Sequence, residues 1–239
     1  RGVAFASDDA AATSNTGRRR SETYCIIILS NGAPTLAAQA SVTGFNNDGF
    51  VLNWQTNEAR ADIIHFVAFG GADLTNAKAG SFSLTTATGS QAVTGAGFKP
   101  DFVMFLWTFT EAVDTNTANA EIGLGFAVSS TKRGAMVANS EDGRFTMDTW
   151  GQQRTDACIL LLAPTTGAQD GIVDFVSMDS DGFTVTKSDA PAFATPIFYL
   201  ALSGGQYYVG NFNSPTTTGD QDVTGISFQP KLVMLATQG

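Results

Sequence analysis

Short apolar runs separated by turn residues dominate the hydrophobic pattern of this chain. The runs are rich in β-branched and aromatic residues and are bounded by Gly, Asn, Asp and Pro, which is typical of β-strands. No long window has the i, i+3, i+4, i+7 apolar spacing of an amphipathic helix. The pattern therefore predicts an all-β protein.

The apolar runs place the predicted strands at regular intervals along the chain. In the first part, we expect strands near residues 2–6, 23–30, 39–45, 50–55, 63–69, 80–84, 101–108 and 122–128. In the second part, we expect strands near residues 134–138, 157–163, 172–178, 183–187, 197–202, 209–213 and 231–237. Many short strands at this spacing are typical of a sandwich or a jelly roll.

The order of motifs along the chain shows an internal duplication. The recurring motifs are Asp-Gly-Phe at 48–50 and 181–183, Gly-x-Phe at 80–82 and 210–212, and Val-Thr-Gly at 93–95 and 223–225. The last two motifs recur at the same spacing and the first at a slightly longer one, so the copies differ by small loop insertions. A duplication of this kind normally sets the unit of folding.

The duplication also predicts the domain organisation. We expect two tandem β-sandwich modules of jelly-roll type, at residues 1–107 and 133–239, joined by a connecting loop and strand at 108–132. The connecting strand, near residues 122–128, has no second copy. We expect further chain or a neighbouring subunit to supply that copy, because an unfilled sheet edge is an assembly site.

Six motifs carry a resemblance to a known class of protein. They are Ser7-Asp8-Asp9, Thr16-Gly17-Arg18-Arg19, Asp48-Gly49-Phe50, Phe66-Val67-Ala68-Phe69-Gly70-Gly71, Gly97-Phe98-Lys99-Pro100 and Gly125-Phe126-Ala127. Together they resemble modules of tailed-phage virion proteins over nearly the whole chain. The resemblance implies a structural or adhesion role, a virion or extracellular location, and no catalysis. The second repeat departs from it, since Thr-Gly-Arg-Arg at 16–19 becomes Trp-Gly-Gln-Gln at 150–153.

The charge of the chain bears on its partners. The net charge is −9, and both repeats are acidic: residues 1–132 hold 8 basic and 11 acidic side chains, and residues 133–239 hold 5 and 11. Binding to a phosphate backbone needs a basic footprint, so we expect no nucleic-acid partner. No apolar stretch approaches the roughly 18–20 residues of a membrane-spanning helix, so we expect no membrane partner.

Reactive side chains are too few and too scattered to predict a catalytic site. His65 is the single histidine and aligns with Phe198, which indicates that this position holds a ring for structural reasons. One histidine and two separated cysteines cannot supply a zinc site. Cys25 and Cys158 lie in equivalent apolar runs, where we expect two buried and unpaired thiols. We therefore expect no enzyme activity, no cofactor and no bound metal.

Two acidic motifs are compatible with either a turn or a cation site. Residues 179–182 read Asp-Ser-Asp-Gly, but the third acid and the distal Glu of an EF-hand calcium loop are absent, which favours a hairpin turn. Acidic pairs at 8–9 and 141–142 recur after the first strand of each repeat. We prefer turn chemistry over a cation site there as well.

Three residues are candidates for surface contacts. Arg18 and Arg19 belong to a basic run in a loop rich in Ser, Thr, Asn and Gly, which we expect to be solvated or to form salt bridges with a neighbour. Trp54 aligns with Lys187, so the fold does not require an aromatic ring there, and an aromatic face is suited to stacking on a sugar. Trp107 continues an apolar strand and is expected in the core.

These patterns favour a non-enzymatic structural protein of a virus particle, such as a phage capsid, tail or fibre component, or of a similar extracellular assembly. It would act through contacts with other copies of itself or with other virion proteins. The alternative is a carbohydrate-binding adhesin or receptor-binding module whose partner is a host-surface glycan. Trp54 and the loop acids would then supply the contacts.

Overall fold

A computed structural model describes residues 1–8, 12–30, 34–146 and 148–237 of the chain. The described residues form strands, turns and irregular segments, which confirms the predicted all-β class. Within these ranges, no helix is long and apolar enough to cross a membrane. All the strand pairs described below are antiparallel.

The strands follow one another along the chain in this order: β1 Gly2–Ser7, β2 Thr16–Ser21, β3 Ile26–Leu29, β4 Leu36–Asn46, β5 Gly49–Thr56, β6 Asn76–Leu84, β7 Gly89–Thr94, β8 Phe102–Trp107, β9 Thr117–Ala118, β10 Ala120–Ser129, β11 Lys132–Ser140, β12 Thr149–Arg154, β13 Ile159–Leu162, β14 Gln169–Asp179, β15 Gly182–Asp189 and β16 Thr195–Ser203.

Residues 76–203 fold into a two-sheet β-sandwich, which we call the closed sandwich. Its six-stranded sheet has the order β12-β11-β10-β8-β16-β6, and its four-stranded sheet has the order β13-β14-β15-β7. Strand β8 alternates between buried and half-buried side chains, as expected for a strand with one face in a core. Strand β13 is buried along its whole length, as its continuous apolar run predicts.

Aromatic side chains join the two sheets of the closed sandwich. The rings of Phe105 in β8 and Phe183 in β15 meet edge to face, with their centroids 5.5 Å apart. Trp107 is fully buried, which confirms that it belongs to the core. Its indole lies over Gly123, where an added Cβ would be 1.9 Å from Cε2, so only glycine fits beneath the ring.

The N-terminal strands form two smaller sheets, β3-β4-β5 and β1-β2-β9, and the last strand of the second sheet comes from the segment between β8 and β10. Polar contacts join the second of these sheets to loops of the closed sandwich. The backbone N–H of Thr16 donates to the Asp142 carboxylate (2.7 Å), and the Ser14 hydroxyl donates to the carbonyl of Glu141 (2.8 Å). These hydrogen bonds and the pairing of β2 with β9 join the N-terminal residues to the closed sandwich.

The closed sandwich begins and ends at other points of the repeat than the predicted domains. Strand β16 pairs with β6 and β8, and β15 pairs with β7, so one sandwich takes strands from both predicted modules. Its limits lie near residues 76 and 203 rather than at 1–107 and 133–239. A periodic sequence can be divided at any phase, and only the pairing shows which strands share a sheet.

Several expectations for individual segments can now be compared with the structure. The prediction that 101–108 and 122–128 both pair into sheets is confirmed, because β8 and β10 pair with each other and with further strands. The predicted strands at 63–69, 209–213 and 231–237 are wrong, since these described residues form no strand. Each has the right sequence, but no neighbouring strand is in place to bond its backbone.

The two cysteines differ in burial, although neither forms a disulfide. Cys158 is buried as expected, whereas Cys25 is exposed, so that half of the prediction is wrong. The reason lies in β10, which crosses the start of β13 so closely that a Cβ on Gly125 would be 1.8 Å from the carbonyl oxygen of Cys158. Among the described residues, no counterpart of β10 covers Cys25.

Candidate assembly interface

The exposed large apolar side chains of the described structure concentrate in two segments. One group, which we call the open face, consists of Val42, Phe50, Trp54, Ile64 and Phe66, on or after the β3-β4-β5 sheet. The other lies in residues 209–237, which we call the trailing segment; its large exposed side chains are Phe212, Val223, Leu232, Val233, Met234 and Leu235. Apolar surface of this kind on a soluble protein marks an interaction site.

The repeat relates the open face to positions that are buried in the closed sandwich. In the alignment set by Asp-Gly-Phe, the five positions correspond in order to Phe175, Phe183, Lys187, Ile197 and Tyr199, all of them buried. The largest difference is at Phe66, which is 69% exposed, whereas Tyr199 is 6% exposed. The open face therefore has the sequence of a core without the burial of one.

The trailing segment has the same relation to strands β6, β7 and β8. In the alignment set by Val-Thr-Gly, its residues Val223, Val233 and Leu235 correspond to Val93, Val103 and Phe105, all buried in the closed sandwich. Leu235 is 75% exposed, whereas Phe105 is fully buried. Phe212 likewise corresponds to Phe82, which packs against the core.

Two rings of the open face already have the geometry of the closed core. Phe50 and Phe66 meet edge to face, with centroids 5.2 Å apart and planes at 76°. Their counterparts Phe183 and Tyr199 meet at 5.3 Å and 83°. In the closed sandwich Phe82 completes this cluster, with its centroid 5.8 Å from that of Phe183. Two of the three rings of this cluster thus have counterparts in place on the open face.

The chain is anchored just before the trailing segment begins, and the segment itself is loosely packed. The ring of Tyr207 stacks on Phe102 at 5.3 Å, and Lys132 Nζ donates to the Tyr208 hydroxyl at 3.0 Å. A cavity of about 2220 Å³ lies between the rest of the segment and the outer face of the six-stranded sheet, where Met104 and Phe126 line it. This volume could hold many waters of about 30 Å³ each, so the apolar side chains of the segment are not packed there.

The basic run is a structural feature and not a solvated loop. Arg18, Arg19 and Arg20 lie in β2 and are buried, so the expectation of a solvated loop is wrong. Arg20 donates from Nε to the carbonyl of Thr110 (3.1 Å) and from Nη2 to the carbonyl of Glu111 (2.8 Å). Backbone carbonyls of the neighbouring loop accept these donors, a partner that the sequence pattern does not reveal.

Arg19 and Arg18 make two further contacts at the same junction. Arg19 Nη1 donates to the side-chain oxygen of Asn116 at 3.1 Å. Arg18 lies near Glu121 of β10, whose carboxylate is buried and also has the Asn139 side chain beside it. Burial raises the pKa of Glu121 to about 8, because desolvation outweighs the attraction of the Arg18 guanidinium. The same desolvation lowers the pKa of Arg18.

Trp54 is half exposed on the open face, beside a shallow cleft of about 330 Å³. The cleft is also lined by Ile28, Ala38 and residues 57–62. Lys187, the counterpart of Trp54, is buried in β15 beside β7 and donates from Nζ to the side-chain oxygen of Gln91 at 3.0 Å. Trp54 lies in β5, at the edge of its sheet, where a strand equivalent to β7 would pair.

The acidic motif at 179–182 is engaged in turn hydrogen bonds. The backbone N–H groups of Gly97 (2.6 Å) and Gly95 (3.0 Å) both donate to the Asp181 carboxylate and hold its pKa below the ordinary value. Of the earlier acidic pairs, Asp9 lies outside the described residues. In the described part of the chain, no group of three or more His, Cys, Asp or Glu side chains could hold a metal ion. His65 is exposed, in a segment that forms no strand.

No protein-family model, curated protein or solved structure matches this chain. The relation between the open face and the trailing segment therefore carries the functional argument. Sequence reasoning missed this relation. The available signal was the set of repeated motifs that both segments carry, but which of the repeated strands pair with each other is known only from the structure.

Proposed function

We propose that this chain is a non-enzymatic structural protein of a virus particle or of a similar extracellular assembly, and that it acts through protein–protein contacts. One observation carries the proposal: core-type side chains are exposed on the open face and the trailing segment, while their counterparts are buried. Burial of apolar surface contributes about 25 cal/mol per Å², so covering these side chains favours association.

The charge of the chain adds a condition to assembly. At a net charge of −9, two copies repel each other at long range. Salt screens this repulsion over about 10 Å at 0.1 M ionic strength, while the apolar attraction persists. Association should therefore strengthen as salt is added. The partners in this proposal are other copies of the chain or other virion proteins.

The placement in a virus particle comes from the resemblance of the repeated motifs to tailed-phage virion modules. The duplication and the all-β fold support a structural role, because neither repeat carries a recurring set of reactive side chains. A virion or extracellular location follows from the same proposal. Both assignments are proposals that an assembly experiment tests first.

Sedimentation velocity over a wide concentration range, at low and at high salt, tests the proposed function. We expect species larger than the monomer, whose fraction rises with protein concentration and with salt. Electron microscopy of the assembled fraction should then show ordered objects and not amorphous aggregate. A monodisperse monomer under all these conditions would contradict the proposal.

A glycan-binding module is the second candidate, favoured by the half-exposed Trp54 at its cleft. Polar side chains lie close to this ring: Arg60 Nε donates to Asp62 at 2.7 Å, and Arg60 Nη2 donates to Glu58 at 3.4 Å. A sugar could stack on the indole and hydrogen-bond to the carboxylates. Glycan-array binding that is lost in Trp54→Ala and retained in Phe45→Ala, a change at an exposed ring outside the cleft, would favour this candidate.

A further inference from the structure

We propose that the partner of the open face is a second copy of this chain, whose trailing segment adds three strands to it in the register of the closed sandwich. This inference rests on the proposed function, since it names the partner for the same exposed surfaces. In the described chain, residues 57–75 and the trailing segment form no strand, and β5 has a pairing partner on one side only. By the repeat, the open face corresponds to strands that pair in the closed sandwich with the counterparts of the trailing segment. Exchange of matching elements between copies is a known route to association.

The register follows by transposing the observed strand pairs along the repeat. In the closed sandwich Tyr199 pairs with Phe105 of β8, and Phe183 pairs with Val93 of β7. Replacing each residue by its counterpart in the other copy of the repeat gives two pairs between subunits. They are Phe66 with Leu235, and Phe50 with Val223. Each pair joins an exposed residue of the open face to an exposed residue of the trailing segment.

A ring packed over a glycine supports the same register independently. Tyr199 pairs with Gly80 of β6, and an added Cβ on Gly80 would lie 2.2 Å from Cζ of the tyrosine ring. Transposition brings Phe66 opposite Gly210, so both the ring and the glycine recur. Within one chain, an added Cβ on Gly210 would also lie 2.6 Å from Cε1 of Tyr208, so a tyrosine ring lies against this glycine as one lies against Gly80.

The turn that follows β7 is also reproduced in the trailing segment. Gly95 has a φ of 91° and Gly225 has a φ of 89°, a conformation that favours glycine. In the closed sandwich the N–H of Gly95 donates to Asp181. The transposed partner of Gly225 is Asp48, which keeps the carboxylate. The trailing segment thus carries both the strand sequence and the shaped turn.

The likeness ends at the last residues of two transposed strands, which bounds the proposed contact. Leu84 and Trp107 of the closed sandwich become Ser214 and Thr237, so the apolar match lies in the middle of the strands. A contact between the open face of one copy and the trailing segment of the next is heterologous. It produces an open chain of subunits unless the rotation closes a ring.

Paired cysteines test the partner and the register together. We choose Val67 and Met234, which are opposite each other in the transposed register and are both exposed. Their counterparts Leu200 and Met104 pair on the half-buried outer face, so cysteines there should disturb the contact little. The variants carry Cys25→Ser, because that thiol is exposed and would form unrelated disulfides.

The decisive measurement mixes two single-cysteine proteins, Val67→Cys and Met234→Cys, under mild oxidation. We expect a disulfide-linked dimer that contains one of each, identified by peptide mass spectrometry, and little dimer from either protein alone. Replacing Met234→Cys by Leu235→Cys is the matched control, since the neighbouring side chain points to the opposite face of a strand. Equal cross-linking by both would overturn the register.

The double variant Val67→Cys/Met234→Cys separates a second copy from closure within one chain. The two segments leave the closed sandwich close together, since a Cβ on Gly204 would lie 2.1 Å from the carbonyl oxygen of Asp73. A ladder of covalent multimers supports the proposal. A monomer that contains an internal disulfide, together with no cross-link in the mixture, would overturn it.

Gly210→Ala provides a test that needs no oxidation. We expect the added methyl to meet the partner's Phe66 and to weaken self-association by about tenfold or more in sedimentation. The methyl would also lie 2.6 Å from Cε1 of Tyr208 in its own chain, so a thermal unfolding curve like the parent's is required to assign the loss to the partner. Gly44→Ala is the control, because an added Cβ there meets no described atom within 4 Å. If assembly persists in Gly210→Ala and no Val67–Met234 cross-link forms, this inference fails and the proposed function stands. If no assembly forms in the parent protein, both fail.

Discussion

The open face and the trailing segment repeat apolar sequences of the closed sandwich, but their side chains are exposed where those of the closed sandwich are buried. Phe105 is fully buried in β8, whereas its counterpart Leu235 is 75% exposed in a segment that forms no strand. The difference lies in the neighbours: β8 has β10 on one side and β16 on the other. A strand sequence becomes a strand when both its hydrogen-bonding edge and its apolar face find partners.

Strand β10 accounts for part of this difference between the two regions. It pairs with β8 and β11, and it covers the start of β13 through Gly125. Among the described residues, β1 passes the start of β3, where a Cβ on Gly2 would lie 3.0 Å from the carbonyl oxygen of Cys25, but no strand beside β1 corresponds to β10. The four predictions that follow compare a position in the closed sandwich with its counterpart or with a matched control position.

The largest effect is expected from removing a core ring. Phe183→Ala should lower the free energy of unfolding by about 3–5 kcal/mol, because the ring is fully buried between the two sheets. Phe50→Ala, the same change on the open face, should cost less than about 1 kcal/mol in the monomer. Urea unfolding followed by tryptophan fluorescence measures both values, with Trp107 as the buried reporter. Equal costs would remove the distinction between the two regions.

A methyl group added beneath Trp107 is expected to have the next largest effect. Gly123→Ala places a Cβ 1.9 Å from the indole, and overpacking of this kind typically costs about 1–3 kcal/mol. Gly44→Ala in β4 meets no described atom within 4 Å and should be neutral or slightly stabilising. Thermal unfolding of both variants checks this pair. A neutral Gly123→Ala would show that the core under β10 is loosely packed.

The junction between the regions should make stability depend on pH through Glu121. Its pKa of about 8 in the folded state lies above the ordinary value of 4.5, so the folded protein keeps a proton that the unfolded chain releases. The free energy of unfolding should therefore fall as pH rises from about 4.5 to about 8, by up to about 1.4 kcal/mol per pH unit.

Urea unfolding at several pH values between 5 and 9 measures this slope. Glu121→Gln should flatten it and should stabilise the protein most, relative to the parent, above pH 8. Glu111→Gln, a change at an exposed position of the same junction, should leave the slope unchanged. A parent protein whose stability rises with pH over this range would contradict the prediction.

The smallest effect concerns chemical reactivity and not stability. Cys25 is exposed and should react with a thiol reagent in the native protein. Cys158 is fully buried, and burial raises the pKa of its thiol, so it should react only after unfolding. Mass spectrometry of the native protein should show one label, on Cys25. Two labels under native conditions would mean that the closed sandwich opens readily.

Much of the closed sandwich could be predicted from local sequence. Apolar runs bounded by turn residues predicted β8, β10 and the strands that pair with them, and the apolar context of Trp107 placed it in the core. The burial of Arg18 and Arg19 could not be predicted in this way, because their partners lie far away along the chain. A basic run in a polar segment has the same local appearance whether water or a carbonyl group accepts its hydrogen bonds.

The candidate interface was only partly accessible to sequence reasoning. The duplication indicated that one strand lacked a second copy, from which we expected assembly, and Trp54, a candidate for a surface contact, is half exposed. The exposure of Phe66 and Leu235 was not expected, since both lie in runs that have the sequence of buried strands. Local pattern reports which side chains suit a core, and it does not report whether the other half of that core is present.

The sequence by itself determined the all-β class, the duplication and the positions of the turns, because these depend on residues a few places apart. Only the tertiary structure decided where in the repeat the sandwich begins and ends. Strand β16 pairs with β6, although residues 206–214 match β6 and have a similar local preference for a strand. The choice depends on packing between distant strands. The physical reason is that strand pairing is a long-range interaction, and two similar repeats offer each strand more than one suitable neighbour.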